Sequence, residues 1–391
     1  ALTGGMAFEA LNDATQSKCN ITIVLNDNGM SISKNVGGLS RYLGRIRSKH
    51  SYVKAKKRVR NLLRRIPAVG EKLEKWVRRV KNSIKFLFVS GEFFEDLGLS
   101  YIGPIDGHDI KAIRGAFDRA DEYGGPVLIH VITKKGKGYR LAEDEPDIYH
   151  GVSPFNAETG ETVSEGQTSM SELFAEKLCE LAGKDEKICA VTAAMPTGTG
   201  LKRFCDKYPT RFFDVGIAEQ HAVTMCAGMS VMGAKPVAVI YSTFMQRAYD
   251  QLLHDVSLQK LPLVVGLDRA GIAGQDGETH QGIYDFAYLG HMPNVTVAAP
   301  ASGKELEEML AVAVSMYEEA SIIPKGCFAI RYPAKERLPR DKADDAIRSP
   351  VEYGKGEICF DSRKNGMKTA DVCIISIGEM LYEALKAAER L

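Results

Sequence analysis

The residues best suited to chemistry fall in a few short stretches. Residues 211–221, Arg-Phe-Phe-Asp-Val-Gly-Ile-Ala-Glu-Gln-His, read as an aromatic strand that bends at Gly216 into a helix opening on Glu219. An acid at a strand-to-helix junction stands where α/β sheets place ligands, although a first-turn acid also suits the helix dipole with no further role. Tyr241-Ser242-Thr243-Phe244 follows another apolar run, so both rings lie near a strand's carboxyl end; core packing alone would also account for Phe244. Asp268-Arg269-Ala270-Gly271 closes a third such run. Residues 274–282 then form a glycine-rich loop holding Asp276, Glu278 and His280, a composition that suits either a binding loop or a plain polar one. Arg331, in Ala-Ile-Arg-Tyr-Pro at 329–333, adds a second guanidinium. Two arginines at one crevice suit a phosphate-bearing substrate, because the guanidinium fork matches phosphate oxygens; as surface charges they need no explanation.

A second kind of chemistry is offered near the start. Residues 26–33, Asn-Asp-Asn-Gly-Met-Ser-Ile-Ser, put several oxygen donors just past a buried apolar run. Hard Mg²⁺ takes such oxygens together with phosphate, while an Asx-rich turn needs the same residues for its own hydrogen bonds.

The elements that must position these residues alternate. Residues 4–16 read as a helix, 21–25 and 85–89 as buried strands, 107–123 as a helix and 126–132 as a strand. After an acidic, then polar linker come a helix at 170–181 and strands at 188–192 and 212–215. A helix at 219–232, a strand at 236–241, a helix at 246–257 and strands at 263–267 and 296–299 follow, then a helix at 304–318. Residues 372–377 and 382–391 open a further strand–helix unit. This order predicts an α/β fold of doubly wound, mostly parallel sheets with helices on both faces.

Composition narrows the class. The net charge is +1, hydrophobic residues make up 45% and charged residues 26%, a globular balance with no global case for nucleic acid. Residues 41–85 are the exception, with 17 Lys+Arg against Glu71 and Glu74. Aromatics for base stacking are scarce there, so a solvated helical insertion over a phosphate site is preferred to a nucleic-acid module. No apolar run is long enough to span a bilayer, and the opening residues lack a secretory pattern. The 8 cysteines form no C-x-x-C pair. Those in apolar runs, such as Cys189, Cys226 and Cys373, read as reduced, buried thiols of a cytoplasmic protein.

The order of motifs resembles one family. Residues 213–223, 241–244, 268–271, 279–282 and 101–109 (Tyr-Ile-Gly-Pro-Ile-Asp-Gly-His-Asp) occur in the order found in 1-deoxy-D-xylulose-5-phosphate synthases, thiamin-diphosphate enzymes of the transketolase superfamily. The resemblance implies a transketolase-like thiamin-diphosphate-binding fold. Residues 1–150 would be part of the first, diphosphate- and Mg²⁺-binding domain, with the basic insertion at 41–85. Residues 151–168 would be the linker, 169–340 the pyrimidine-binding domain and 350–391 the opening of a third domain. It implies that Glu219 hydrogen-bonds the aminopyrimidine, that Phe244 stacks on it, and that Ile32 and Ile217 wedge the cofactor into a bent shape. Asn28 and the Met30 carbonyl would ligate Mg²⁺. Tyr241, Arg269 and Arg331 would hold the phosphate of D-glyceraldehyde 3-phosphate. His280 and Asp276 would lie near this acceptor and His108 near the donor, pyruvate. The implied reaction condenses the two, with loss of carbon dioxide, to 1-deoxy-D-xylulose 5-phosphate, in a homodimer. A transketolase or a 2-oxo-acid dehydrogenase E1 component is the main alternative, disfavoured by the Asp-Arg-Ala-Gly and Thr-His-Gln-Gly pair with Tyr-Ile-Gly-Pro. The family's metal motif is Gly-Asp-Gly, and Ala1 stands where the next residue belongs, so the chain reads as an interior piece of a longer protein.

Overall fold

The computed structural model describes residues 2, 4–31, 35–48, 91–152, 154–161, 169–274, 277–334, 349–365, 369 and 371–391. The expected strand at 85–89, the basic stretch beyond residue 48, Ile32 and Asp276 lie outside the described residues. The chain divides into two compact units, Ala1–Val152 and Ser153–Leu391.

The first unit runs α1 (Gly5–Gln16), β1 (Thr22–Asp27), α2 (Gly37–Ser48), α3 (Glu92–Asp96), β2 (Ser100–Asp106), α4 (Ile110–Ala120), β3 (Val127–Ile132) and α5 (Arg140–Asp144). Its strands form a parallel sheet in the order β1-β3-β2. The central strand, Val-Leu-Ile-His-Val-Ile, is buried along nearly its whole length, as expected when both faces are covered. One face packs on Leu11, Leu43, Ile46, Phe94 and Leu99, the other on Ala116 and Ala120. Asp109 caps α4 by accepting from the Lys111 and Ala112 N–H groups. Two expectations change here. β2 was not foreseen as a strand, because Gly103 and Pro104 interrupt it; its register shifts between Ile102 and Ile105. The start of the basic stretch is not wholly solvated, since α2 buries Leu43 and Ile46 in the core.

The second unit runs α6 (Met170–Lys184), β4 (Ile188–Thr192), α7 (Lys202–Lys207), β5 (Phe212–Asp214), α8 (Glu219–Val231) and β6 (Lys235–Tyr241). Then come helical turns over 242–257, β7 (Leu263–Asp268), α9 (Asp285–Gly290), β8 (Val295–Ala298), α10 (Gly303–Ser315), β9 (Cys327–Arg331) and α11 (Met380–Arg390). Six parallel strands take the order β5-β4-β6-β7-β9-β8. Ser169 and Ser302 cap α6 and α10 through the N–H groups of Glu172 and Glu305. Both helices lie over the sheet, with Phe174, Leu178, Leu306 and Leu310 against Val237, Val239, Val264 and Ile330.

Three further expectations are corrected. The helix foreseen at 246–257 breaks into a 3₁₀ turn, one α-turn and a π-helical segment, Leu252–Ser257. β9 was not foreseen as a strand. Residues 372–377 form no strand and no ladder: Val372, Ile374, Ile375 and Ile377 are all exposed, and so is Cys373. Among the described residues the backbone of this segment has no hydrogen-bond partner, which leaves those groups to water. Cys189 and Cys226 are buried, and all eight cysteines are free thiols. Residues 349–391 group with the second unit; the Tyr382 hydroxyl donates to the Ala301 carbonyl (2.6 Å). Among the described residues, no helix is long and apolar enough to cross a membrane.

Candidate active site

In the second unit the candidates gather at the carboxyl ends of β5, β6, β7 and β9, the edge where parallel sheets hold ligands. The bend after β5 is built by Asp214 and Gly216. The Asp214 carboxylate accepts from the Ala194 and Gly216 N–H groups (2.8 and 2.9 Å), and Gly216 takes φ +75°, which a side chain would resist. The chain thereby turns sharply into α8, with Ile217 half-buried at the corner and Glu219 on the first turn. Glu219 is 2% exposed. Burial pushes its carboxyl above the ordinary carboxylate range, despite its own helix-start N–H and the charge of Arg247. Arg247 is the ion-pair partner of Glu219 Oε2.

Arg247 lies three residues beyond Phe244. The Phe244 ring stacks on Tyr241 (5.8 Å, 12° between planes) and meets His280 edge-on (5.2 Å). His280 is set by a hydrogen bond between its Nδ1 and Thr279 Oγ1 (2.8 Å), and Thr243 Oγ1 donates to the Thr279 carbonyl. The Arg269 guanidinium carbon sits over the Tyr241 ring, 4.0 Å from its centre. Its backbone sits at φ +54°, a left-handed conformation costing a non-glycine residue roughly 1–2 kcal/mol. Nη1 of Arg269 donates to the Gly198 carbonyl (2.8 Å) and pairs with Asp268 (3.0 Å). Asp268 also accepts from the Ser171 hydroxyl (2.7 Å), and complete burial raises it to about 6 even though Arg269 pulls the other way. Arg331 donates from Nε to buried Asp285 (2.9 Å) and lies over the Phe286 ring (4.1 Å). Tyr241, Phe244, His280 and Arg269 thus form one contact chain. Arg331 stands at the neighbouring strand end, in register with Leu267 of β7.

In the first unit, the turn after β1 folds on itself. Asn28 Oδ1 accepts from the Met30 N–H (2.9 Å), and Asp27 is 3% exposed. Burial alone would raise the Asp27 carboxyl, but the hydrogen bond with His130 and the charge of Arg47 outweigh it and hold it below the usual range. The Tyr101 hydroxyl bonds His130 Nδ1 (2.7 Å), completing a buried Tyr101–His130–Asp27 line. His108 is exposed; its Nε2 accepts from the Lys134 N–H (3.0 Å) in the loop after β3. From that loop the Lys135 ammonium reaches the Ser31 carbonyl (3.4 Å).

One buried acid with a raised pKa, in the same unit as a stacked aromatic pair, provides the hydrogen-bonding group and the flat face that an aminopyrimidine needs. The turn at Asn28 and Met30 offers two oxygens, whereas Mg²⁺ takes about six; it fits as part of a set completed by diphosphate oxygens and further ligands. Among the described residues no three His, Cys, Asp or Glu cluster as a metal site.

Residues 1–133 match a family model described as 1-deoxy-D-xylulose-5-phosphate synthase, and residues 166–324 match one described as transketolase, pyrimidine binding domain. Over its full length the chain is 49% identical to the 1-deoxy-D-xylulose-5-phosphate synthase of Desulforudis audaxviator, covering 59% of that protein. The chain is similar to 1-deoxy-D-xylulose-5-phosphate synthases along its whole length. Synthases so named from Caldanaerobacter subterraneus and Lachnoclostridium phytofermentans are 47% and 49% identical over the whole chain, which spans 60% of each. The chain thus spans about three fifths of the length of these relatives.

Sequence reasoning assigned no role to Arg247, Asp268, Asp285, Ser171 and Ser242, the groups that hold the named residues in place. Asp268 carried a signal, being an acid at the end of an apolar strand beside Arg269. Asp285 gave none, because its partner Arg331 lies 46 residues away.

Proposed function

We propose that this protein is a 1-deoxy-D-xylulose-5-phosphate synthase that condenses pyruvate with D-glyceraldehyde 3-phosphate, releasing carbon dioxide. The observation that carries the reading is Glu219: a buried carboxyl with a raised pKa, on the first turn of α8, in a chain whose whole length matches this family. Thiamin diphosphate, when bound, supplies the nucleophilic carbon and the electron sink for decarboxylation. The chain's own residues do the rest. Glu219 hydrogen-bonds a pyrimidine nitrogen and, with its pKa raised, holds a proton there more readily than an exposed acid. Phe244 gives the ring a flat surface, and Ile217, with Ile32, shapes the cofactor. Asn28 and the Met30 carbonyl ligate Mg²⁺ on the diphosphate. Tyr241, Arg269 and Arg331 bind the aldehyde's phosphate. His280, with Asp276, serves the acceptor and His108 the donor as proton-transfer or polar groups. The protein works as a cytoplasmic homodimer, with residues 1–150, 169–340 and 350–391 belonging to the three domains of the family.

The test is turnover by the protein at the full length of its relatives. Carbon dioxide release from pyruvate that depends on added glyceraldehyde 3-phosphate is expected. Release indifferent to the aldehyde, or a preference for ketose donors, overturns the assignment in favour of another thiamin enzyme.

A further inference from the structure

Arg269 and Arg331 are held by the same device, built twice. Each guanidinium carbon sits over an aromatic ring, Tyr241 at 4.0 Å and Phe286 at 4.1 Å from the ring centre. Each is engaged by an aspartate with no exposed surface, Asp268 at 3.0 Å and Asp285 at 2.9 Å. Each aspartate also accepts from a buried serine hydroxyl, Ser171 to Asp268 (2.7 Å) and Ser242 to Asp285 (3.0 Å). The two devices stand at the carboxyl ends of the paired strands β7 and β9. Gly282 joins them: its carbonyl accepts from Arg331 Nη2 (3.3 Å), its backbone pairs with Gly271, and a Cβ on it would meet the Arg269 carbonyl and the Ser242 hydroxyl.

We propose that Asp268 and Asp285 are positioning residues that present Arg269 and Arg331 as a matched clamp for one phosphoryl dianion. The inference rests on the phosphate-binding reading given above. The ring contact and the carboxylate hold each guanidinium from two sides. Together they remove rotamer freedom that phosphate binding would otherwise have to remove, which is preorganisation in its ordinary sense. The charge balance argues in the same direction. Two buried carboxylates beside two guanidiniums cancel much of the attraction for an anion, so they weaken the site's field while sharpening its geometry. A site selected for field alone would not carry them. Matched geometry favours a tetrahedral dianion, which takes several donors at once, over a planar carboxylate such as that of pyruvate.

The experiment compares Asp268→Asn and Asp285→Asn with Arg269→Ala and Arg331→Ala in the full-length protein. Steady-state kinetics are run with D-glyceraldehyde 3-phosphate and with unphosphorylated D-glyceraldehyde. Positioning predicts that each Asn variant raises the KM for the phosphorylated aldehyde by roughly tenfold or more, with a smaller effect on kcat, and narrows the preference over glyceraldehyde. A purely electrostatic role predicts the opposite sign, a lower KM, because a negative charge has been removed. A lower or unchanged KM overturns the proposal, and so does a loss shared equally by both aldehydes. If the Arg variants lose phosphate preference while the Asn variants keep it, the proposal fails and the phosphate reading stands. If the Arg variants also keep it, both fail. Should an Asn variant not fold, Ser171→Ala and Ser242→Ala remove only the serine hydroxyl and are expected to shift KM in the same direction by roughly two- to fivefold; no shift in either counts against the proposal.

Discussion

At the scale of single residues, two buried acids of the second unit carry the sharpest expectations. Glu219→Gln keeps the shape of the helix start and removes the titratable carboxyl. Thiamin diphosphate affinity should hold broadly, while carbon dioxide release falls by roughly a hundredfold or more. Near-normal turnover in that variant would take Glu219 out of the mechanism. Asp268 makes a different expectation, about stability against pH. Its folded pKa, about 6, lies above the ordinary aspartate value of 3.8, so the folded state binds the proton more tightly than the unfolded chain. Its stabilising contribution is therefore fully present below the unfolded pKa and is lost as pH rises through about 6. A gap of this size corresponds to roughly 3 kcal/mol. The unfolding free energy of the wild-type protein, less that of Asp268→Asn, should decline between about pH 4 and pH 6 and then level off. Chemical denaturation across that range checks it; a flat difference removes the titration of Asp268 from the account.

At the scale of elements, the packing of α6 on the sheet is the support behind the clamp. Phe174 is fully buried, stacks on Tyr332 (5.2 Å between ring centres) and lies against Gly266, where a side chain would have to push the ring aside. Phe174→Ala should cost about 3–5 kcal/mol, read as a lower midpoint in urea; a change under about 1 kcal/mol would mean the layer repacks freely. Elements of this kind were legible in the sequence wherever burial and periodicity agreed. β3, β4, β6 and β7 are apolar runs bounded by turn residues, and α8 follows the one glycine that the bend requires. β2 was hidden by its own Gly103-Pro104 pair, and residues 246–257 carry a helical pattern that the chain breaks into shorter turns. The named residues of the candidate site were visible as residue types at strand ends. What holds them was not: Arg247 to Glu219, Asp285 to Arg331 and Ser171 to Asp268 are contacts across 28, 46 and 97 positions, and local spacing carries no record of them.

At the scale of the whole molecule, each unit has its own core and its own parallel sheet, and each places candidate residues at strand carboxyl ends. The first unit carries Asn28, Met30 and His108, and the second carries the acid, the rings and the two arginines. One segment stands apart from both cores. Residues 372–377, Val-Cys-Ile-Ile-Ser-Ile, hold no charge, and Ile375 is 92% exposed. A six-residue, β-prone, uncharged stretch whose backbone is unpaired among the described residues is a template on which identical copies can stack edge to edge. This chain handled at high concentration should therefore gain thioflavin-binding aggregates with time. Ile375→Lys should slow their growth without changing the far-ultraviolet circular dichroism of the dissolved protein. If growth is the same with and without that lysine, the nucleus of aggregation lies elsewhere in the chain.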